Sequence, residues 1–136
     1  MNTKRILLAG LAAGLVMNVM DFVTNAVIFK TAWASAYAAL NLAPSPAAFG
    51  GFWTAFDFVS GVVIAFLYAA MRPRLGAGPK TAIVAALVQW LLVHMTLASH
   101  MVDGVFPIGA LLGSGGLELV SAIAGGMVAG KLYREA

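Results

Sequence analysis

The stretch "VMNVMDFVTNAVIF", residues 16–29, is apolar enough for the middle of a membrane-spanning helix, yet it carries Asn18, Asp21 and Asn25. An aspartate at the centre of such a helix costs roughly 2.5–3.5 kcal/mol on insertion scales. A helix serving only as an anchor would carry Val or Leu at position 21 at no such cost. Asp21 therefore needs a compensating environment, which the rest of the chain has to supply.

The solvent around that helix follows from composition. Of the 136 residues, 62% are hydrophobic and 10% charged, and the mean hydropathy is +0.94. A soluble domain has about 45–50% apolar and about 25% charged residues. So small a body cannot hide this apolar surplus from water, so lipid is the expected solvent and the chain reads as one transmembrane domain over 1–136. The absence of cysteine excludes disulfides, thiolate metal sites and cysteine nucleophiles. The net charge of +3 and pI near 9.6 come from basic residues in short flanks, not from a patch. They read as membrane-orienting charge, and nucleic acid is not an expected partner.

Four apolar stretches, at 6–29, 50–71, 81–101 and 108–130, are each long enough to cross a hydrocarbon core about 30 Å thick. "MNTKR" resembles a signal-peptide n-region and "ASA" at 34–36 a cleavage site. The apolar run between them exceeds the roughly 7–15 residues of an h-region, so it reads as a retained first helix. Lys4, Arg5, Arg72, Arg74, Lys80, Lys131 and Arg134 fall on one side of the spans, and only Lys30 on the other. The positive-inside rule then places both termini and the 72–80 loop in the cytoplasm, as in a bacterial inner (plasma) membrane protein. On the outer side Trp33, Tyr37 and Leu40 recur at helical spacing. They predict either a short interfacial helix or a continuation of the first helix, ended by Pro44 and Pro46.

Depth can be counted from the cytoplasmic ends. At a rise of about 1.5 Å per residue, Asp21 lies about 22 Å up, Asp57 about 21 Å, His94 about 20 Å and Glu118 about 18 Å. Each span thus contributes one ionisable residue to one layer in the outer half of the membrane. Gly10, Gly14, Asn18, Asp21 and Asn25 share one face of the first helix. Gly50, Thr54, Asp57, Gly61 and Ala65 share a face of the second, and Ser114, Glu118, Ser121, Gly125 and Ala129 a face of the fourth. Small and polar residues belong on protein-facing sides, which turns the three carboxylates inward. On the third helix Gln89, Thr96 and His100 share one face, and His94 stands about 140° from Gln89. His94 fits the layer by depth and is taken as its member. "DFVTNAVI" (21–28), "DFVSGVVI" (57–64) and "ELVSAIAGG" (118–126) echo one another as acid, apolar, Val, hydroxyl. Either a duplicated two-helix unit or the small alphabet of apolar helices accounts for the echo.

The expected architecture is an all-α integral membrane bundle of four helices. Its candidate ion- or ligand-binding residues are Asp21, Glu118, Asp57, His94, Asn18, Asn25 and Ser121, above an apolar cytoplasmic plug and lining a polar cavity. Intramembrane carboxyls of this kind exchange protons, bind ions or tie helices together. The leading expectation is a proton-, cation- or small-solute-binding carrier or channel acting as a homo-oligomer. The alternatives are an accessory subunit of a larger membrane complex, and a membrane enzyme or metal protein using the same layer. The enzyme class is disfavoured because the chain lacks a long catalytic loop. The di-iron pattern of paired Glu-x-x-His motifs is missing, and His94 or His100 with Met95 or Met101 makes only a weak case for haem. Three carboxylates and one histidine could instead hold a single Zn²⁺, Mn²⁺ or Fe²⁺, so metal and cofactor are left open. "GSGG" at 113–116 fits either close packing or an unwound segment.

Overall fold

The computed structural model describes residues 1–43 and 45–134. Among them the order is α1 (Thr3–Phe22), a π-helical segment (Val23–Ile28), α2 (Lys30–Ala39), α3 (Pro46–Leu75), α4 (Pro79–Val102) and α5 (Ile108–Leu132). Four spans, Thr3–Ile28, Pro46–Leu75, Pro79–Val102 and Ile108–Leu132, are long and apolar enough to cross a membrane. The all-helical body is thus compatible with a membrane helix bundle.

Local chemistry sets the boundaries. The Asn2 side chain accepts from the Arg5 N–H (3.1 Å) and caps α1. Pro46 and Pro79 open α3 and α4, where a missing N–H costs nothing. Pro46 was expected to end the preceding helix and instead begins the next one. α2 stops earlier, at Ala39, before Asn41 takes a left-handed conformation (φ 55°). Pro44 lies outside the described residues. α3 ends at Gly76, whose φ of 84° suits glycine. It therefore runs past both ends of the expected 50–71 span.

α1 packs against α3 and α5, α4 packs against α5 and α3, and α3 and α5 also meet across the centre. Small residues dominate the shared core. Ala9, Ala13, Ala65, Ala69, Ala82, Ala85, Ala86, Ala122 and Ala129 are buried together with Ile6, Met17, Ile64, Tyr68 and Tyr133. Outward lie the large aliphatics, among them Leu7, Leu8, Leu11, Leu15 and Val19 of α1. A small-residue interior inside an apolar shell is what lipid as solvent permits. The closest approach is between α1 and α3. A methyl group placed on Gly61 would fall on the Gly10 carbonyl oxygen and the Gly14 nitrogen.

One end of the bundle is tied by tyrosines. The Asn2 N–H donates to the Tyr133 hydroxyl (3.3 Å), and the Gly78 N–H donates to the Tyr68 hydroxyl (3.1 Å). The two rings meet edge to face at 6.1 Å. The N-terminus, the 76–78 turn and the end of α5 therefore share one end, and seven of the eight basic residues lie there. At the other end α2 brings Trp33 and Tyr37 edge-on to Phe106, at 5.8 and 5.7 Å.

Gly61→Ala is expected to cost about 1–3 kcal/mol, because the new methyl has backbone and not a flexible side chain in its way. Gly116→Ala, where nothing lies within 4 Å, is expected to be neutral or slightly stabilising. Thermal unfolding in detergent checks both, and equal losses would contradict the helix contact.

Candidate functional site

Glu118 of α5 is the most connected of the intramembrane acids. Its Oε1 accepts from Asn25 Nδ2 (3.1 Å), and its Oε2 lies 3.1 Å from His94 Nε2. His94 Nδ1 lies 2.9 Å from the Trp90 carbonyl oxygen. A carbonyl only accepts, so Nδ1 carries the hydrogen, and the contact between Nε2 and Oε2 then holds a single proton. The pair is either imidazolium with carboxylate or imidazole with carboxylic acid, and both forms are neutral overall. The Trp90 ring stacks on His94 (4.5 Å, 22°), and its Nε1 donates to the Gly115 carbonyl (3.0 Å). A methyl on Gly115 would come within 3.1 Å of the His94 ring, so this glycine makes the space the imidazole occupies.

The chain of bonds extends to α2. Asn25 Oδ1 accepts from Trp33 Nε1 (3.0 Å), which fixes the amide so that Nδ2 faces Glu118 and the Asp21 carbonyl (3.2 Å). Asn25 sits in the π-helical segment Val23–Ile28, where the Phe29 N–H reaches back to the Thr24 carbonyl (2.9 Å). The π geometry follows a run of residues that form α-helix poorly: Val23, Thr24, Asn25, Val27 and Ile28. Single π turns recur at functional sites.

Asp21 lies on the same side, one turn before the π segment. Its carboxyl is close to the Ser121 hydroxyl and the Asp57 carboxyl, and it interacts electrostatically with Glu118 and His94. Asp57 is 8% exposed and Ser121 fully buried. Neither Asp21 Oδ1 nor Ser121 Oγ reaches a hydrogen-bond partner. Asn18 joins α1 to α3, its Nδ2 donating to the carbonyls of Gly14 (3.2 Å) and Thr54 (3.1 Å). In each of the three echoing segments the hydroxyl three residues after the acid (Thr24, Ser60, Ser121) is buried.

The structure thus groups Asp21, Asp57, Glu118, His94, Asn25 and Ser121, with Asn18 one turn away. Several details differ from the sequence reading. On α4, Gln89 is buried but Thr96 of the same face is exposed, and His94 extends a stripe of Ala82, Ala86 and Trp90 that packs on α5. Gly50 and Thr54 are exposed, although both fall on the expected α3 stripe. "GSGG" stays helical within α5, with Gly113 against Phe29 and Gly115 against His94. The irregular backbone lies instead in the π-helical segment that follows α1. The expected polar cavity is not among the best-formed grooves. One of about 500 Å³ is lined by Leu67, Met71, Arg74 and Val84, and one of about 330 Å³ lies under α2. Trp33 and Trp90, both hydrogen-bonded to the network, were not among the candidates.

Among the described residues no three His, Asp or Glu side chains are arranged to hold a metal ion. No family model, no curated protein and no solved structure matches the chain.

The indole N–H of Trp33 contributes a neutral hydrogen bond, so Trp33→Phe is expected to cost about 0.5–1.5 kcal/mol. Asn25→Ala costs more, since it also leaves Glu118 Oε1 without its donor. The double variant is expected to lose less than the sum, measured by denaturation in detergent. Strict additivity would contradict the Trp33–Asn25 bond.

Proposed function

We propose that this chain is a small carrier or channel of a plasma membrane whose intramembrane acidic layer binds and releases a proton or other cation. The observation that carries this reading is the grouping of Asp21, Asp57, Glu118 and His94, one from each long helix. Helices held together only for structure have no need of four ionisable groups at one level. Intramembrane acids mark ion and proton paths because nothing else repays their insertion. The single proton between His94 and Glu118 supports the same reading, since moving it along the pair changes no net charge.

The orientation proposed has both termini and the 76–78 turn in the cytoplasm, from the seven basic residues at that end. α2 then lies at the outer interface with Trp33 and Tyr37 at headgroup level. A bundle of four helices on an alanine core has little room for a path within one copy. The working form is therefore proposed to be a homo-oligomer, with the path between copies or at their contact.

Purified protein in liposomes carrying an internal pH-sensitive dye tests the reading. The wild type is expected to dissipate an imposed pH gradient. Asp21→Asn and Glu118→Gln are expected to fall to the rate of empty liposomes, and Asp103→Asn to match the wild type. Wild-type liposomes no more permeable than empty ones would remove the carrier reading, and a foreign subunit co-purifying in fixed ratio would replace it with an accessory role.

A further inference from the structure

We propose that Asp21, Asp57 and Ser121 form a binding site for a small dehydrated monovalent cation, Na⁺ or Li⁺, and that this ion and a proton compete for it. The inference rests on the acidic layer being an exchange site and names what is exchanged. The layer divides into two parts with different chemistry. The His94–Glu118 part is internally balanced, for its acid faces a base across one proton and also accepts from Asn25.

The Asp21–Asp57 part has no such balance. The two carboxyls come from α1 and α3 and act on each other directly; both also face Glu118 of α5, and Asp21 faces His94 of α4. No lysine or arginine lies within the layer, because the basic residues sit at the helix ends. Two carboxylates side by side in a low-dielectric interior cannot both stay ionised without a cation between them.

The second observation is independent of charge. Ser121 is 0% exposed, and its hydroxyl oxygen has no hydrogen-bond partner. Asp21 Oδ1, beside it, is likewise buried without one. A serine hydroxyl next to a carboxylate ordinarily donates to it, since an unmade buried hydrogen bond costs about 1–3 kcal/mol. Two buried oxygens that lie beside each other without a completed hydrogen bond are what a bound cation would satisfy.

The donor set fixes the class of ion. All the donors are oxygens, which selects a hard cation over a transition metal. Calcium needs about six to eight oxygens, more than these side chains offer. Charge selects the same class, because one proton on the pair and one monovalent ion between two carboxylates both leave a net charge of −1. The swap is therefore electroneutral within the site. Gly61 holds α1 and α3 in backbone contact one turn below, which favours the smaller alkali ions.

The test uses the full chain in detergent, with thermal unfolding at alkaline pH in NaCl, LiCl, KCl or choline chloride at equal ionic strength. The midpoint is expected to be higher in NaCl and LiCl than in choline chloride, with the difference shrinking as the solution is acidified. Asp21→Asn and Ser121→Ala are expected to lose the difference, and Ser121→Ala, a mild change, guards against a variant that fails to fold. Adding NaCl to lightly buffered wild type is also expected to release protons, where choline chloride releases none. Equal midpoints in sodium and choline, or KCl as effective as NaCl, would overturn the proposal. If proton flux in liposomes persists without any sodium response, the sodium site falls and the proton-exchange function stands. If both are missing, both readings fall.

Discussion

A carboxyl carried into an apolar bundle has to find a donor, a counter-charge or a proton, and this molecule carries three of them at one level. At roughly 2.5–3.5 kcal/mol for each charged insertion, the layer opposes formation of the bundle unless its members compensate one another. They do so pairwise. Glu118 is satisfied by Asn25 and His94, which join α1, α4 and α5 at one residue. Asp21 and Asp57 lie against each other at the α1–α3 contact, where a shared proton or, as we propose, a small cation compensates them. The helix packing is therefore subordinate to the layer: each long helix presents the face that brings its ionisable residue to the others.

The packing below the layer shows how that is achieved without a hydrophobic driving force between helices. In lipid, association depends on close van der Waals contact and interhelical hydrogen bonds. Gly10, Gly14 and Gly61 bring α1 and α3 into backbone contact, Gly126 brings α5 onto the Ala82 backbone of α4, and Gly130 lies against the Ala82 methyl and the Tyr68 ring. Bulkier residues at these points would separate the helices and open the bonds of the layer above. Over the layer, α2 folds back so that Trp33 reaches Asn25. The polar network is thus held between a tight alanine-glycine base and an aromatic cap containing Trp33, Tyr37, Phe49 and Phe106.

Much of this was legible in the sequence because membrane constraints are severe. Twenty apolar residues have few alternatives to a span, and an acid within one has few alternatives to facing inward. The stripes through Gly10–Asn25 and Ser114–Ala129 were readable for that reason. Less legible was α4, where the face was sought among polar residues. The deciding stripe, Ala82, Ala86, Trp90 and His94, is mostly apolar and shows as a packing surface only beside the glycines of α5. The π-helical segment was hidden as well. Its β-branched residues are ordinary in a membrane span, and the extra residue per turn appears only as Asn25 reaching Glu118 and Trp33. Gly50 and Thr54 fit the α3 stripe by period, yet both are exposed, and Thr54 meets α1 through its carbonyl and not its side chain.

The central claim is that the acidic layer is compensated by exchangeable cations and not by fixed internal pairs alone. Infrared difference spectroscopy of the carboxyl stretching region, on the full chain in sodium-free lipid, addresses it directly. The expected result is a protonated-carboxyl band that disappears when sodium or alkali is supplied and is weakened in Asp21→Asn. A spectrum with every carboxyl ionised from the start, unchanged by sodium or alkali, would contradict it.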